Sequence, residues 1–241
     1  MILPELRAQV LEANQEIARR GLALHTFGNA SGIDRGGVDG SGREPIVAIK
    51  PSGVPYAAMT PADLVLTRLD GSIVQGLLRP SSDLDTHLLL YREFPQIGGV
   101  VHTHSEFATS WAQACRPIPC LGTTHADYFH GPVPVTSELT VDEVESGYVL
   151  NTGAVISRLF QQEGLDPLAV PGVLVAGHAP FAWGKNVAAA VEHADLLEYI
   201  ARLAYRTVIL GGAPESGLAA HVAEHHYQRK HGPKATYGQG C

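Results

Sequence analysis

Two histidines two positions apart, His102 and His104, stand in the β-rich run GGVVHTH. In an extended strand, side chains two apart point to one face, so both imidazoles are presented to the same side. That is half of a chelate, although an isolated HxH also suits two polar residues on a solvated strand face. His178, in GHAPF, lies at the end of another β-rich run and just before a turn, where a third imidazole could converge. Three histidines that leave coordination positions open form the pattern of a catalytic divalent metal, with zinc the first expectation and manganese or cobalt the alternatives.

Three short loops are rich in small donors: Gly28-Asn29-Ala30-Ser31, Lys50-Pro51-Ser52-Gly53 and Ser81-Ser82-Asp83. Each offers backbone N–H groups, hydroxyls or an ammonium at close range. The third stands at the expected start of a helix, where the dipole favours an anion. Together they suggest a phosphate cradle, whereas each by itself also reads as a turn or a helix cap. Neither GxxxxGK[ST] nor a GxGxxG following a strand occurs, so a nucleotide site has no support. Asp127 in THADYFHG and Tyr237 in TYGQ are proton carriers by residue type only.

These residues need elements to hold them. Leu6, Val10, Ala13 and Ile17 predict an amphipathic first helix closed by Gly21. The stretch from Thr26 to Pro45, rich in Gly, Asp, Ser and Arg, reads as loop leading into the strand IVAIKP. LVLTRLDGSIVQG reads as a hairpin about Asp70-Gly71. A serine or the aspartate of Ser81-Ser82-Asp83 should cap a helix carrying Leu84, Leu88 and Tyr91 and ending before Pro95. SEFATSWAQA looks helical, Thr140 and Glu143 form a capping-box pattern, and GVLVAGHAPFAWG returns to strand. Asn186 caps a long helix stopped by Gly211-Gly212, and a mobile polar tail is expected from about His221.

The chain has 241 residues, 45% of them hydrophobic, and shows neither repeat nor linker, which points to one α/β domain with a substantial core. Seventeen basic against 24 acidic residues, a formal charge of -7, argue against nucleic acid or an anionic membrane as the main partner, while a small anion remains allowed. Cys115, Cys120 and Cys241 suggest neither a disulfide framework nor a zinc ribbon, so the cytoplasm is the expected compartment. The start, MILPELRAQVLEANQ, lacks the basic region and apolar core of a signal peptide, and no apolar run reaches the roughly 18 residues of a spanning helix.

TFGNASG, KPSGVPY, SSDLDTH, FPQIGGVVHTHSEFATSWAQA, GTTHADYF, PGVLVAGHAPFAWGKN and RKHGPKATYGQ together resemble the L-ribulose-5-phosphate 4-epimerase branch of the class II aldolase/epimerase family, over nearly the whole chain. The resemblance implies a single domain over 1–241 with a central, mainly antiparallel sheet flanked by helices on both sides. It implies His102, His104 and His178 as metal ligands with Asp83 beside them. Gly28, Asn29, Ser52, Gly53, Ser81 and Ser82 would hold a substrate phosphate with Lys50 close by. Asp127 and Tyr237 would be the acid/base pair, supported by His226. The implied assembly is a homotetramer in which the segment 221–241 reaches a neighbouring subunit's site, so that Tyr237 and His226 act in trans.

The implied reaction interconverts L-ribulose 5-phosphate and D-xylulose 5-phosphate by retro-aldol cleavage and re-addition across C3–C4. Aldolase members carry a glutamate where this chain has Asp83, so Asp83 points to epimerase. The alternatives are a sugar-phosphate aldolase of the fuculose or rhamnulose type and a non-catalytic adducin-like module. Two departures from the family pattern, a longer polar loop between Ser31 and Pro45 and GHAPF with alanine after the histidine, leave the ligands in place.

Overall fold

The computed structural model describes residues 2–36, 43–211, 217–233 and 235. Its first helix, α1 (Pro4–Arg19), buries Val10, Ala13 and Ile17, and the chain leaves it through Gly21 at φ 70°. Then come β1 (Asn29–Asp34), β2 (Ile46–Ile49), a 3-10 turn at Tyr56–Ala58, and the hairpin β3 (Val65–Arg68) and β4 (Ile73–Gln75). α2 (Leu84–Glu93), β5 (Gly99–His102), α3 (Glu106–Gln113) and the short α4 (Thr123–Ala126) follow. The capping box Thr140/Glu143 opens α5 (Val141–Glu163). β6 (Gly172–Leu174), β7 (Pro180–Gly184), the Asn186-capped α6 (Val187–Ile209) and α7 (Ala220–His231) complete the described order.

The strands form one sheet in the order β4-β3-β2-β1-β5-β7-β6, antiparallel at each pairing. Helices cover both faces, and alternation along the strands shows how. On β1, Gly32 faces α1 and α6, where a Cβ would lie 2.4 Å from Val187 and 3.0 Å from Leu6 and Val10. Its neighbour Ser31 faces the other way, bonding His87 and Tyr91 of α2 at 2.7 and 2.8 Å. On that second face Trp183 of β7 packs between Phe94 and Phe160, with ring centroids 5.3 and 5.2 Å away. Aromatic pairs of this kind add about 0.5–1.5 kcal/mol each beyond the area they bury.

Three expectations change. The stretch read as loop contains β1, a central strand whose first four residues are buried. Glycine, serine and asparagine are weak strand formers, but pairing on both edges and close helix approach override propensity here. GVLVAGHAPFAWG is two antiparallel strands, not one, with His178 in the turn between them. Of the segment expected to be a mobile tail, residues 221–231 belong to helix α7. α7 buries no residue, so hydrophobic periodicity had nothing to mark; it is held by hydrogen bonds from His226 and Arg229 to Asp127 and by the Tyr227 ring against His130. Among the described residues no helix is long and apolar enough to cross a membrane.

Candidate metal centre and phosphate cleft

β5 sits between β1 and β7 and ends at His102. His104 lies just beyond it, in the short segment entering α3, so the two imidazoles meet across the end of a strand rather than along one. His178 comes over from the β6–β7 turn. The three rings stand with centroids 4.9, 5.0 and 5.1 Å apart, and one ligand nitrogen from each lies within 4.8 Å of the others. His102 is 2% exposed, His178 half-buried and His104 exposed.

The tautomers follow from the outer hydrogen bonds. His102 Nδ1 is 3.0 Å from the Pro180 carbonyl, which can only accept, so the proton resides on Nδ1 and Nε2 keeps its lone pair. Phe181, stacked on His102 at 4.2 Å and 17°, fixes the ring plane. His102 Nε2 faces His178 Nε2 at 3.3 Å. Burial pushes His102 down to about 3, against the pull of Asp83, and His104 and His178 are also lowered, mainly by burial. Neutral imidazoles with converging lone pairs are the donor set a borderline divalent cation takes, so the residues fit a metal.

Asp83 is the N-cap position of α2, as the sequence indicates, but its side chain makes no cap bond. Its carboxylate instead accepts from Asn29 Nδ2 at 2.6 Å. Burial works to raise the Asp83 carboxyl, while His102, His87, the Asn29 hydrogen bond and His178 outweigh it and hold the group below its ordinary value. Asp83 is therefore an anion at the edge of the triad, and Asn29, paired across the strands with His102, ties the two together.

The three donor loops line the same cleft of about 470 Å³, with Gly28, Asn29, Lys50, Ser52, Gly53, Ser81, Ser82, Asp83 and the three histidines all on its walls. Gly28, at φ 77°, is required: a Cβ there would stand 2.7 Å from the His102 carbonyl. The Tyr56 hydroxyl lies 2.7 and 2.8 Å from the Phe27 and Gly28 carbonyls and pins this loop. The second and third loops are clamped to each other by Ser81 N–H donating to the Lys50 carbonyl at 2.9 Å and Ser52 N–H to the Arg79 carbonyl at 2.9 Å. Ser52 and Gly53 remain exposed, and a Cβ on Gly53 would meet nothing within 4 Å, so the cleft is open there. Lys50 is only 2% exposed, donates to the Pro51 carbonyl at 3.2 Å and sits 5.0 Å over the Tyr56 ring. Burial lowers its pKa, partly offset by Asp83. A buried ammonium with further donors calls for an anion.

Asp127 and His226 do not line this cleft. Asp127, at the end of α4, accepts from His226 at 3.0 Å and from Arg229 at 3.2 Å, while His231 meets its backbone carbonyl at 2.8 Å. The sequence-predicted proton carrier and its supporting histidine thus meet each other in one chain, apart from that chain's triad. Tyr237 lies outside the described residues.

Two supporting residues escaped the sequence reading. Glu198 of α6 accepts from the Phe107 and Ala108 N–H groups, both at 2.9 Å, capping α3 just after His104. Tyr148 meets His178 Nδ1 at 2.5 Å. The sequence signal for the second was Gly147, a glycine inside a helical pattern.

The model of the Class II Aldolase and Adducin N-terminal domain matches residues 8–205. The chain is 46% identical over 238 residues to an L-ribulose-5-phosphate 4-epimerase, UlaF, of Salmonella paratyphi B (strain ATCC BAA-1250 / SPB7), covering 98% of this chain and 100% of that protein. Its counterpart in Salmonella typhi is also 46% identical, over 239 residues, with 98% of this chain and 100% of that protein covered. Among solved structures, an L-fuculose 1-phosphate aldolase superposes with a TM-score of 0.75 at 24% identity, over 93% of this chain and 95% of that one. YgbL of Escherichia coli, a putative aldolase/epimerase/decarboxylase, gives 0.70 at 24%, over 93% and 99%. By the match of its sequence over most of its length, and in a fold those structures share, this chain belongs to the class II aldolase and adducin N-terminal domain family.

Proposed function

We propose that this protein is an isomerase that interconverts L-ribulose 5-phosphate and D-xylulose 5-phosphate. The observation that carries the reading is one cleft lined both by a histidine triad and by a buried lysine with three donor loops. Full-length relatives named as this epimerase support it.

His102, His104 and His178 would hold a divalent ion, zinc first by donor type, with Asp83 beside it. Such an ion supplies Lewis acidity at the carbonyl end of a ketose. The chain's own groups do the rest. Lys50, Ser52, Gly53, Ser81 and Ser82 grip the phosphate end, with Gly28 and Asn29 forming the adjoining wall. Inversion at C4 cannot proceed by removing the C4 proton, because that carbon is not next to the carbonyl. Breaking C3–C4 removes this obstacle: the C4 hydroxyl gives up its proton, its oxygen becomes an aldehyde, and the bond's electron pair stays with the C1–C3 fragment. With the phosphate held, the aldehyde turns and the pair re-adds to its opposite face, whereupon the new C4 alkoxide takes up a proton.

Two proton carriers on opposite sides are therefore needed, and Asp127 and Tyr237 fill those roles, with His226 supporting Asp127. Because Asp127 and His226 stand apart from their own chain's cleft, we place them, with the segment 221–241, at a neighbouring copy's cleft. The working unit is then a homotetramer of 1–241 chains. Its place is the cytoplasm, and its partners are sugar phosphates rather than nucleic acid or membrane.

The test is to incubate metal-replete protein with L-ribulose 5-phosphate, following D-xylulose 5-phosphate and free aldehyde together, beside a chelator-treated sample. Chelator-sensitive xylulose phosphate without aldehyde is expected. Accumulating aldehyde would make the protein an aldolase, and silence with metal bound would retire the substrate assignment.

A further inference from the structure

We propose that Tyr148 is the positioning residue of the metal centre, and that a break in helix α5 at Gly147 exists to deliver it. The inference rests on the metal reading given above and extends it to a residue outside the ligand set.

The break is built, not incidental. Gly147 has φ 153° and ψ 82° inside an otherwise helical run, a conformation that residues with a Cβ rarely adopt. Side chains bridge the break: Asn151 Nδ2 donates to the Glu143 carbonyl at 2.7 Å and to Ser146 Oγ at 3.1 Å. Thr86 of α2 donates to the Val149 carbonyl at 2.5 Å, and Thr152 to the Tyr148 carbonyl at 2.8 Å, so the residues flanking the phenol are held from two helices. A kink whose flanking groups are satisfied in this way directs a side chain.

That side chain is Tyr148. Its ring lies nearly parallel to His178, at 24° with centroids 5.9 Å apart, and its hydroxyl meets His178 Nδ1. The outer nitrogens of the other two ligands differ: His102 is oriented by a backbone carbonyl, and His104 has Phe27 as a ring neighbour at 6.2 Å. His178 rides on a turn rather than a strand, so it needs an external restraint more than His102 does. For His178 Nε2 to present a lone pair, Nδ1 must carry the proton and donate to the phenol oxygen. Outer partners of this kind change metal affinity about 10- to 100-fold when removed.

Tyr148→Phe keeps the ring and deletes the oxygen, and zinc affinity by chelator competition reads the effect directly. A 10- to 100-fold rise in the zinc Kd is expected, with the metal-free melting temperature unchanged and a shifted visible spectrum in the cobalt-loaded protein. Tyr148→His, which restores an acceptor, should recover part of the affinity. An unchanged Kd and cobalt spectrum in Tyr148→Phe, while His178→Ala loses metal, would overturn the inference and leave the metal site standing. A loss of affinity matched by an equal loss of metal-free stability would also overturn it, by making the phenol a packing residue. If the unaltered protein binds no zinc or cobalt, the metal reading itself is wrong.

Discussion

Replacing Lys50 with methionine should move stability and substrate affinity in opposite directions. The ammonium is 2% exposed, and burial lowers its pKa, with Asp83 only partly compensating. A lysine whose folded pKa lies below its unfolded one is bound more tightly by its proton in the unfolded chain. It therefore costs stability at neutral pH, and that cost disappears as pH rises through the ordinary lysine value. Methionine fills similar space without the charge. Lys50→Met without ligand should melt at the same temperature as the unaltered protein at pH 7, or higher. Substrate phosphate loses one charge-assisted hydrogen bond, about 1.5–3 kcal/mol. At 1.4 kcal/mol per decade, that is a rise in KM of about 10- to 150-fold. The assay pairs KM and kcat for L-ribulose 5-phosphate with melting curves with and without inorganic phosphate. The variant should lose most of the phosphate-induced stabilisation. A wild-type KM with phosphate stabilisation retained would refute the cradle. A marked drop in the ligand-free melting temperature would show instead that the ammonium is already paired within the fold.

Asp127→Asn and His226→Asn should each lower turnover far more than metal content, measured by steady-state rates beside metal analysis; normal turnover in both sinks their assignment. Gly32→Ala sets a methyl 2.4 Å from Val187 and should destabilise by about 1–3 kcal/mol, roughly 2–12 °C, leaving KM intact. An unchanged melting temperature would mean that α1 and α6 can part at no cost. Burial pushes His87, against Asp83, and His125, against its bond to the Gly131 carbonyl, each down to about 4. Because the unfolded chain takes up these protons first, metal-free stability should fall as pH drops from about 6.5 to about 4, by about 1.4 kcal/mol per unit for each group. Urea midpoints across that range should decline less steeply in His125→Gln, and identical slopes would rule out its contribution.

The histidine triad could be read from HTH and GHAPF because ligand chemistry restricts residue types severely and short spacing carries geometry. The donor loops were visible for the same reason, each being a local run of small residues. Helices α1, α2, α3, α5 and α6 followed from periodicity and caps, and the β3–β4 hairpin from its Asp-Gly turn. Asp83, Asp127 and His226 gained roles only through family resemblance, since a lone carboxylate or imidazole has many uses.

What local sequence determined, then, is the chemistry on offer: three imidazoles, a lysine among small donors, and most of the amphipathic elements that carry them. Tertiary structure alone decided that β1, despite its asparagine, serine and glycine, lies at the centre of the sheet, that Glu198 caps a helix 90 residues away, and that Tyr148 meets His178 across 30 residues. It also decided that Asp127 joins His226 and not its own chain's triad. The physical reason is that these contacts depend on how elements stack, and stacking depends on the summed burial of the whole chain, which no window of neighbouring residues contains.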